Sequence, residues 1–301
     1  MINSFAQIEE MARAKATDPQ LVACVEPHDP GLLEALAKAV ANKLVKPVLI
    51  GVEEQIYDAA KGVGVEIRGW ELVRSASPNE SVYTALQLVQ HDKVDTLAKG
   101  VFGVRDFLSL LFERNLGFRV GKNLVSGVMA LKVEQLDRLL LLGDPVVNPH
   151  PELTHLISIV ENTAAAAHQL GYELPRAALL AAVEVIYPQM PVTTAEAIIA
   201  KMSDRGQIRG CVVDGPLSMD VALIESAAKE KGAKGEVAGR AEILIGPNLA
   251  VSYGVAKAFS MYTRCDYGLV TVGGKVPAVI TSRFDSAIAK YNSLLLAIAT
   301  R

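Results

Sequence analysis

This chain of 301 residues lacks the long apolar run that a bilayer crossing needs; its longest charge-free stretch, 243–256, falls well short of the ~20 residues required. It also lacks an excess of positive charge. With 30 Lys and Arg against 33 Asp and Glu, the net charge is -3, so no basic face is available to follow a nucleic-acid backbone. Cysteine is scarce: Cys24, Cys211 and Cys265 stand far apart with no Cys-x-x-Cys or Cys/His spacing, which argues against both a disulfide framework and a zinc site. Cys24 and Cys211 lie in apolar runs and read as small core residues. The five histidines, His28, His91, His150, His155 and His168, show no metal-ligand clustering and read as surface or capping residues. Glu9 and Glu10 occupy the place where a secretory leader needs its apolar run, so the expected compartment is the cytoplasm.

Half of the residues are hydrophobic, enough to bury one large core or two modest ones. Short apolar runs alternate with longer amphipathic ones, the rhythm of an α/β chain whose largely parallel sheet is covered by helices. Strands are predicted at Leu21 to Val25, Pro47 to Ile50, Ala177 to Val183, Cys211 to Val213 and Ile243 to Ile245. Helices are predicted over Leu32 to Val40 behind the cap Asp29, from Ser77-Pro78 onward, from Pro151 to His168, over Leu217 to Lys229, over Val251 to Phe259 and over Phe284 to Ala299. Leu124 to Leu131 and Leu139 to Leu142 have no helix-length segment between them, so an antiparallel pair is expected there. A domain boundary is placed near Val120, giving one domain of 1–120 plus 272–301 and a second of 121–271. A two-domain α/β chain binds small ligands in the crevice at the carboxyl ends of its strands.

Several strand ends carry polar or glycine residues: Lys99-Gly100, Asp144 with Asn148, Asp214-Gly215-Pro216 with Asp220, Pro247-Asn248, and Thr281-Ser282-Arg283. The Asp214 run reads equally well as a turn with Asp214 or Ser218 as a cap, whereas Pro247-Asn248 reads more readily as a capped turn than as a ligand site. Ser282-Arg283 is the most pointed pair, because a hydroxyl and a guanidinium ahead of a helix N-terminus suit an oxyanion or phosphate; a capping Ser beside a surface Arg is the alternative. Gly273-Gly274 lacks the third glycine of a dinucleotide fingerprint, so a nicotinamide cofactor is not expected.

Taken in order, these runs resemble the phosphate acetyltransferase and phosphate butyryltransferase family, closest to the butyryl branch, over nearly the whole chain. The resemblance is carried by Lys99-Gly100, Asp137-Arg138 leading to Asp144 and Asn148, Glu184 with Pro188 and Met190-Pro191, Asp214-Gly-Pro-Leu with Asp220, Glu242, Pro247-Asn248, and Thr281-Ser-Arg283 with Asp285. It implies a two-domain subunit of isocitrate/isopropylmalate dehydrogenase-like architecture with its active site in the cleft between domains. It implies an acyl transfer between coenzyme A, a substrate here, and inorganic phosphate, without a metal or redox cofactor. It further implies a homodimer or higher homo-oligomer, with no nucleic-acid or membrane partner. Ser282, Arg283 and Asp285 are the catalytic candidates on this resemblance, and Lys99, Gly100, Asp144, Asn148, Asp214 and Asn248 the substrate- or CoA-binding ones.

The chain also departs from the family pattern. Val101-Phe102-Gly103-Val104 replaces a polar stretch, and Ser109 stands where the acetyl branch has an arginine. Gly127 stands for a histidine, Gly143 for a threonine, and Ala250-Val251-Ser252-Tyr253 for Glu-Ala-Gly-Asn. Where the acetyl branch places a catalytic aspartate, this chain has Ala289; Asp285, one helical turn earlier, reads either as its substitute or as a carboxylate favoured by a helix N-terminus. The expected function is acyl transfer from acyl-CoA to phosphate. The alternative is a non-catalytic CoA- or acyl-CoA-binding paralogue.

Overall fold

A computed structural model of the chain describes residues 2–113 and 115–301, which group into two units. The first unit comprises Phe5–Val125 and Tyr267–Arg301; the second comprises Ser126–Asp266 together with the N-terminal residues as far as Ser4. None of the helices is long and apolar enough to cross a membrane, among the described residues.

The first unit opens with α1 (Phe5–Lys15), β1 (Gln20–Val25), α2 (Pro30–Ala41), β2 (Val45–Gly51) and α3 (Glu53–Gly62). It continues with β3 (Glu71–Arg74), α4 (Pro78–Gln90), β4 (Thr96–Lys99) and α5 (Val104–Leu111). In the second unit come β5 (Ser126–Val133), β6 (Leu140–Gly143), α6 (Leu153–Gln169), β7 (Arg176–Leu180), α7 (Pro191–Asp204), β8 (Val212–Leu217), α8 (Met219–Leu223), α9 (Glu225–Glu230), β9 (Ile243–Ile245) and α10 (Leu249–Tyr262). The chain then returns through β10 (Cys265–Val272) to β11 (Ala278–Val279) and α11 (Ala287–Ala299).

Within the first unit the strand order is β3-β2-β1-β4-β11-β10, parallel except for the antiparallel pair β10 and β11. The chain winds from β1 outward to β2 and β3, then returns to place β4 on the other side of β1. The right-handed rule for parallel crossovers puts the connecting helices on opposite faces for these two directions. The carboxyl ends of β1 and β4 therefore mark the point at which the chain's winding direction reverses. Within the second unit the order is β5-β6-β9-β7-β8, with β5 and β6 antiparallel and the rest parallel. That antiparallel pair has the register Val128 opposite Gly143, as the absence of a helix between the two runs requires.

Four local expectations need correction. Asp214-Gly215-Pro216 is not a turn: it lies inside β8, where the Gly215-Pro216 bond is cis and the register with β7 shifts between Ala178 and Leu180. The strand predicted to reach Val183 stops at Leu180. The helix predicted over 217–229 is two short ones, because Leu217 still belongs to β8 and Ile224 is extended at φ -120° and ψ 114°. The last helix starts at Ala287 rather than Phe284, because Ser286 is its cap and accepts from the Ala289 amide at 3.2 Å. Neither α1, whose buried Phe5, Ile8 and Ala12 form only a thin stripe, nor β3, an edge strand with no fully buried residue, was anticipated from the apolar pattern.

Candidate functional site

The carboxyl ends of β1, β4 and β11 in the first unit carry Glu26, Lys99-Gly100 and Thr281-Ser282-Arg283. Glu26 turns the chain sharply after β1 at φ 50°, a strained value for a residue with a side chain. Its carboxylate is buried and accepts from the Ser81 hydroxyl at 2.5 Å. The Glu26 carbonyl accepts the Val101 amide at 2.8 Å, and a Cβ on Gly100 would lie 2.1 Å from that same oxygen. Gly100 is thus required where the ends of β1 and β4 press together. Lys99, also buried, donates from Nζ to the carbonyls of Gly100 at 3.0 Å and Phe102 at 3.2 Å, which holds the loop into α5. Burial pushes its pKa down to about 8; Arg283 and Lys290 act in the same direction, while Asp29 and Asp285 oppose it.

The Ser282 turn is fixed by Asp285. One Asp285 carboxylate oxygen accepts the Ser282 amide at 2.8 Å and the other the Tyr267 hydroxyl at 3.1 Å, and Asp285 is buried. The Ser282 hydroxyl oxygen accepts from the Phe284 amide at 3.3 Å. Arg283 is exposed, and its guanidinium makes no hydrogen bond or ion pair with any described residue. Ala289, at the position of the acetyl branch's aspartate, is a buried residue in the first turn of α11 and presents no polar group.

Beside Arg283 opens a pocket of about 410 Å³. Asp285, Ser286 and Ala287 line it from the start of α11, Asp29, Pro30 and Gly31 from the start of α2, and Val101 from the loop after β4. Two helix N-termini therefore converge, and an ideal Cβ on Gly31 would sit only 3.6 Å from the Ala287 amide nitrogen. The Gly31 and Ala287 amides have no acceptor among the described residues. Free first-turn amides, the positive ends of two helix dipoles and an unpaired guanidinium make this pocket suited to an anion. Asp29 and Lys290 both line it and form a buried ion pair; the sequence offered Asp29 only as a helix cap and did not single out Lys290. The signal was nonetheless present: Lys290 is the one charged side chain in a thirteen-residue helix that is otherwise uncharged.

The remaining candidates lie in the second unit and use their polar groups differently. Asp144 follows β6 at φ 44° and is buried. One of its carboxylate oxygens accepts the amides of Gly127 and Val147, each at 2.9 Å, and the other accepts the amide and side-chain nitrogen of Asn148. Asn248 caps α10, accepting from the Val251 amide at 3.1 Å, and the Leu249 amide donates to the Pro149 carbonyl, so the two loops adjoin. Asp214 is separate, on β8, two strands beyond β9. Burial raises its pKa, and its carboxylate accepts from the Gly215 amide at 2.8 Å. The spaces opened by the glycine replacements are filled: a Cβ on Gly143 would meet the tip of Ile245 at 2.4 Å, and one on Gly127 the tip of Val146 at 2.7 Å.

Residues 73–298 match the family model described as phosphate acetyl/butaryl transferase. The phosphate butyryltransferase of Clostridium acetobutylicum is 39% identical over 297 residues, covering 99% of this chain and 98% of that relative. The phosphate acetyltransferase of Thermotoga maritima is 33% identical over 290 residues, covering 96% of this chain and 97% of that one. Among solved structures, a branched-chain phosphotransacylase from Enterococcus faecalis V583 superposes with a TM-score of 0.81 at 27% identity, covering 93% of this chain and 98% of its own.

Proposed function

Because the chain belongs to the phosphate acetyl/butyryl transferase family, we propose that it transfers an acyl group bulkier than acetyl between coenzyme A and inorganic phosphate at the pocket beside Arg283. The observation that carries this reading is the convergence of an unpaired guanidinium and two free helix N-termini on one small pocket. Phosphate is already a nucleophile at neutral pH. What the reaction needs is neutralisation of its charge, alignment on the thioester carbonyl, and stabilisation of the oxyanion that develops there.

In the proposed mechanism Arg283 holds phosphate through paired charge-assisted hydrogen bonds, with the first-turn amides of Gly31 and Ala287 turned toward it. A phosphate oxygen attacks the thioester carbonyl carbon; the tetrahedral intermediate collapses, the C–S bond breaks, and acyl phosphate and the CoA thiolate separate. The proton carried in by hydrogen phosphate ends on the CoA sulfur. Ser282 donates to the carbonyl oxygen or to the departing sulfur, and Asp285, through the Ser282 amide, holds that hydroxyl's turn in place. Asp285 in this account positions Ser282 and does not replace the acid missing at Ala289.

The acyl group is assigned to the apolar side. Val101 lines the pocket, and next to it Phe102 packs edge-on against Phe107 with ring centroids 6.2 Å apart. A wall of that character favours a butyryl or branched chain, in keeping with the substrates named for the Clostridium and Enterococcus relatives. Asp144, Asn148, Asp214 and Asn248 are proposed to serve the CoA moiety by shaping their loops. The family likeness also supports a cytoplasmic homodimer or higher homo-oligomer. The test is thiol release from acetyl- through hexanoyl-CoA and branched acyl-CoAs, with and without phosphate. Phosphate-dependent release peaking at four or five carbons is expected. Release independent of phosphate, or none with CoA-induced thermal stabilisation, would overturn the reading in favour of a binding paralogue.

A further inference from the structure

Lys290 donates from Nζ to both carboxylate oxygens of Asp29, at 2.6 and 2.9 Å, and the two residues are only 1% and 5% exposed. The same Asp29 carboxylate accepts the Leu32 amide at 3.0 Å as the cap of α2. One carboxylate thus caps one helix and grips the first turn of the other. Taking two charges out of water is costly, and apolar side chains of similar size would join α2 to α11 as well. An ion pair here needs a reason other than holding helices together.

Its place in the pocket supplies one. Uncompensated, the Asp29 carboxylate would stand at the N-terminus of α2 and repel any anion entering there. We infer that Asp29 and Lys290 are a positioning pair for phosphate: Lys290 cancels the charge of the cap and fixes the spacing of the two N-termini between which the anion sits. Gly31 belongs to the same device, because a Cβ there would lie 3.1 Å from Lys290 Nζ and 3.5 Å from Asp29 Oδ1. The inference rests on the phosphate acyltransferase reading, since it assigns the pair to the phosphate side of that reaction.

The experiment is steady-state kinetics of the full-length protein, varying phosphate and acyl-CoA separately, with thermal melts alongside. Lys290→Met should raise KM for phosphate about tenfold or more, the scale on which loss of one partner of a buried charge pair is felt. KM for acyl-CoA should stay within about threefold, because a fault confined to one substrate's site leaves uniform binding of the other intact. Adding Asp29→Asn to Lys290→Met should recover most of the loss, since asparagine still caps α2 but carries no charge. Gly31→Ala, which keeps both charges and favours the helix, should raise the phosphate KM without lowering the melting temperature. The inference is overturned if the phosphate KM is unmoved in Lys290→Met and Gly31→Ala, or if both substrates' KM values rise together. Should Lys290→Met fail to fold, the double variant and Gly31→Ala decide it. A wild-type protein without phosphate-dependent turnover overturns the transferase reading instead, and the pair's role with it.

Discussion

Two sets of polar residues sit at the carboxyl ends of parallel strands, one after β1, β4 and β11 and the other after β6 and β9, and they spend their hydrogen bonds in opposite ways. Each begins with a buried carboxylate in a strained left-handed conformation, Glu26 at φ 50° in the first and Asp144 at φ 44° in the second. Around Asp144 the donors are consumed locally: the amides of Gly127, Val147 and Asn148 all donate to its carboxylate. Around Ser282 and Arg283 the donors are left over: among the described residues the guanidinium has no partner and two first-turn amides have no acceptors. A strand end that satisfies itself builds a rigid loop, whereas one that leaves donors unspent presents them to something else. The same position in a fold supports both outcomes, so location at a strand's carboxyl end does not by itself identify a binding group.

The largest test of this contrast is Arg283→Ala. Phosphate-dependent thiol release should fall by about 100-fold or more, the cost of losing a donor aimed at the reacting anion, while the melting temperature stays put because the side chain is exposed and unpaired. A variant with undiminished turnover would erase the distinction drawn for the first cluster. Asp144→Ala should do the reverse. Leaving its loop amides unsatisfied in a buried site should lower stability by about 2–3 kcal/mol in urea unfolding, with the phosphate KM little changed. Loss of turnover at undiminished stability would show that Asp144 acts on substrate and not only on its loop.

The smallest expected effect is in the pH profile. Lys99 is held at about 8 by burial, against 10.5 for a free lysine, so it is charged below about 8 and neutral above. As pH rises through that value the positive potential near Arg283 weakens, and kcat/KM for phosphate should decline severalfold, on the order of one charge interaction at a partly buried site. Lys99→Met should flatten that limb. The stability consequence has the opposite sign: the folded-state pKa lies below the unfolded one, so the cost of burying the charge is present below about 8 and is relieved between about 8 and 10.5. Stability due to this group therefore rises with pH as activity falls, and a melt series across that window separates the two.

The α/β class, most helices and strands, and the antiparallel pair of β5 and β6 were legible because apolar periodicity and cap residues report local geometry directly. Ser77 and Asp29 were readable as caps for this reason, and the structure has both accepting first-turn amides. Asp214-Gly-Pro was not, since a strand that runs through Gly-Pro is decided by pairing with β7, which a local reading scores as a turn. The second role of Asp29 was hidden because its partner lies 261 residues away. Ser282 and Arg283 could be named from the sequence, but whether their groups were free could not, as that depends on which acceptors the fold brings near.

By itself the sequence determined the fold class, the family and the pair of residues ahead of the last helix, because these follow from local pattern and from ordered motifs along one chain. Only the tertiary structure decided that the starts of α2 and α11 converge, that Lys290 answers Asp29, and that Asp144 is consumed by its own loop. Those are contacts between segments far apart in the chain, and a carboxylate or a lysine carries no mark of whether its charge will be met by a neighbour or left for a ligand.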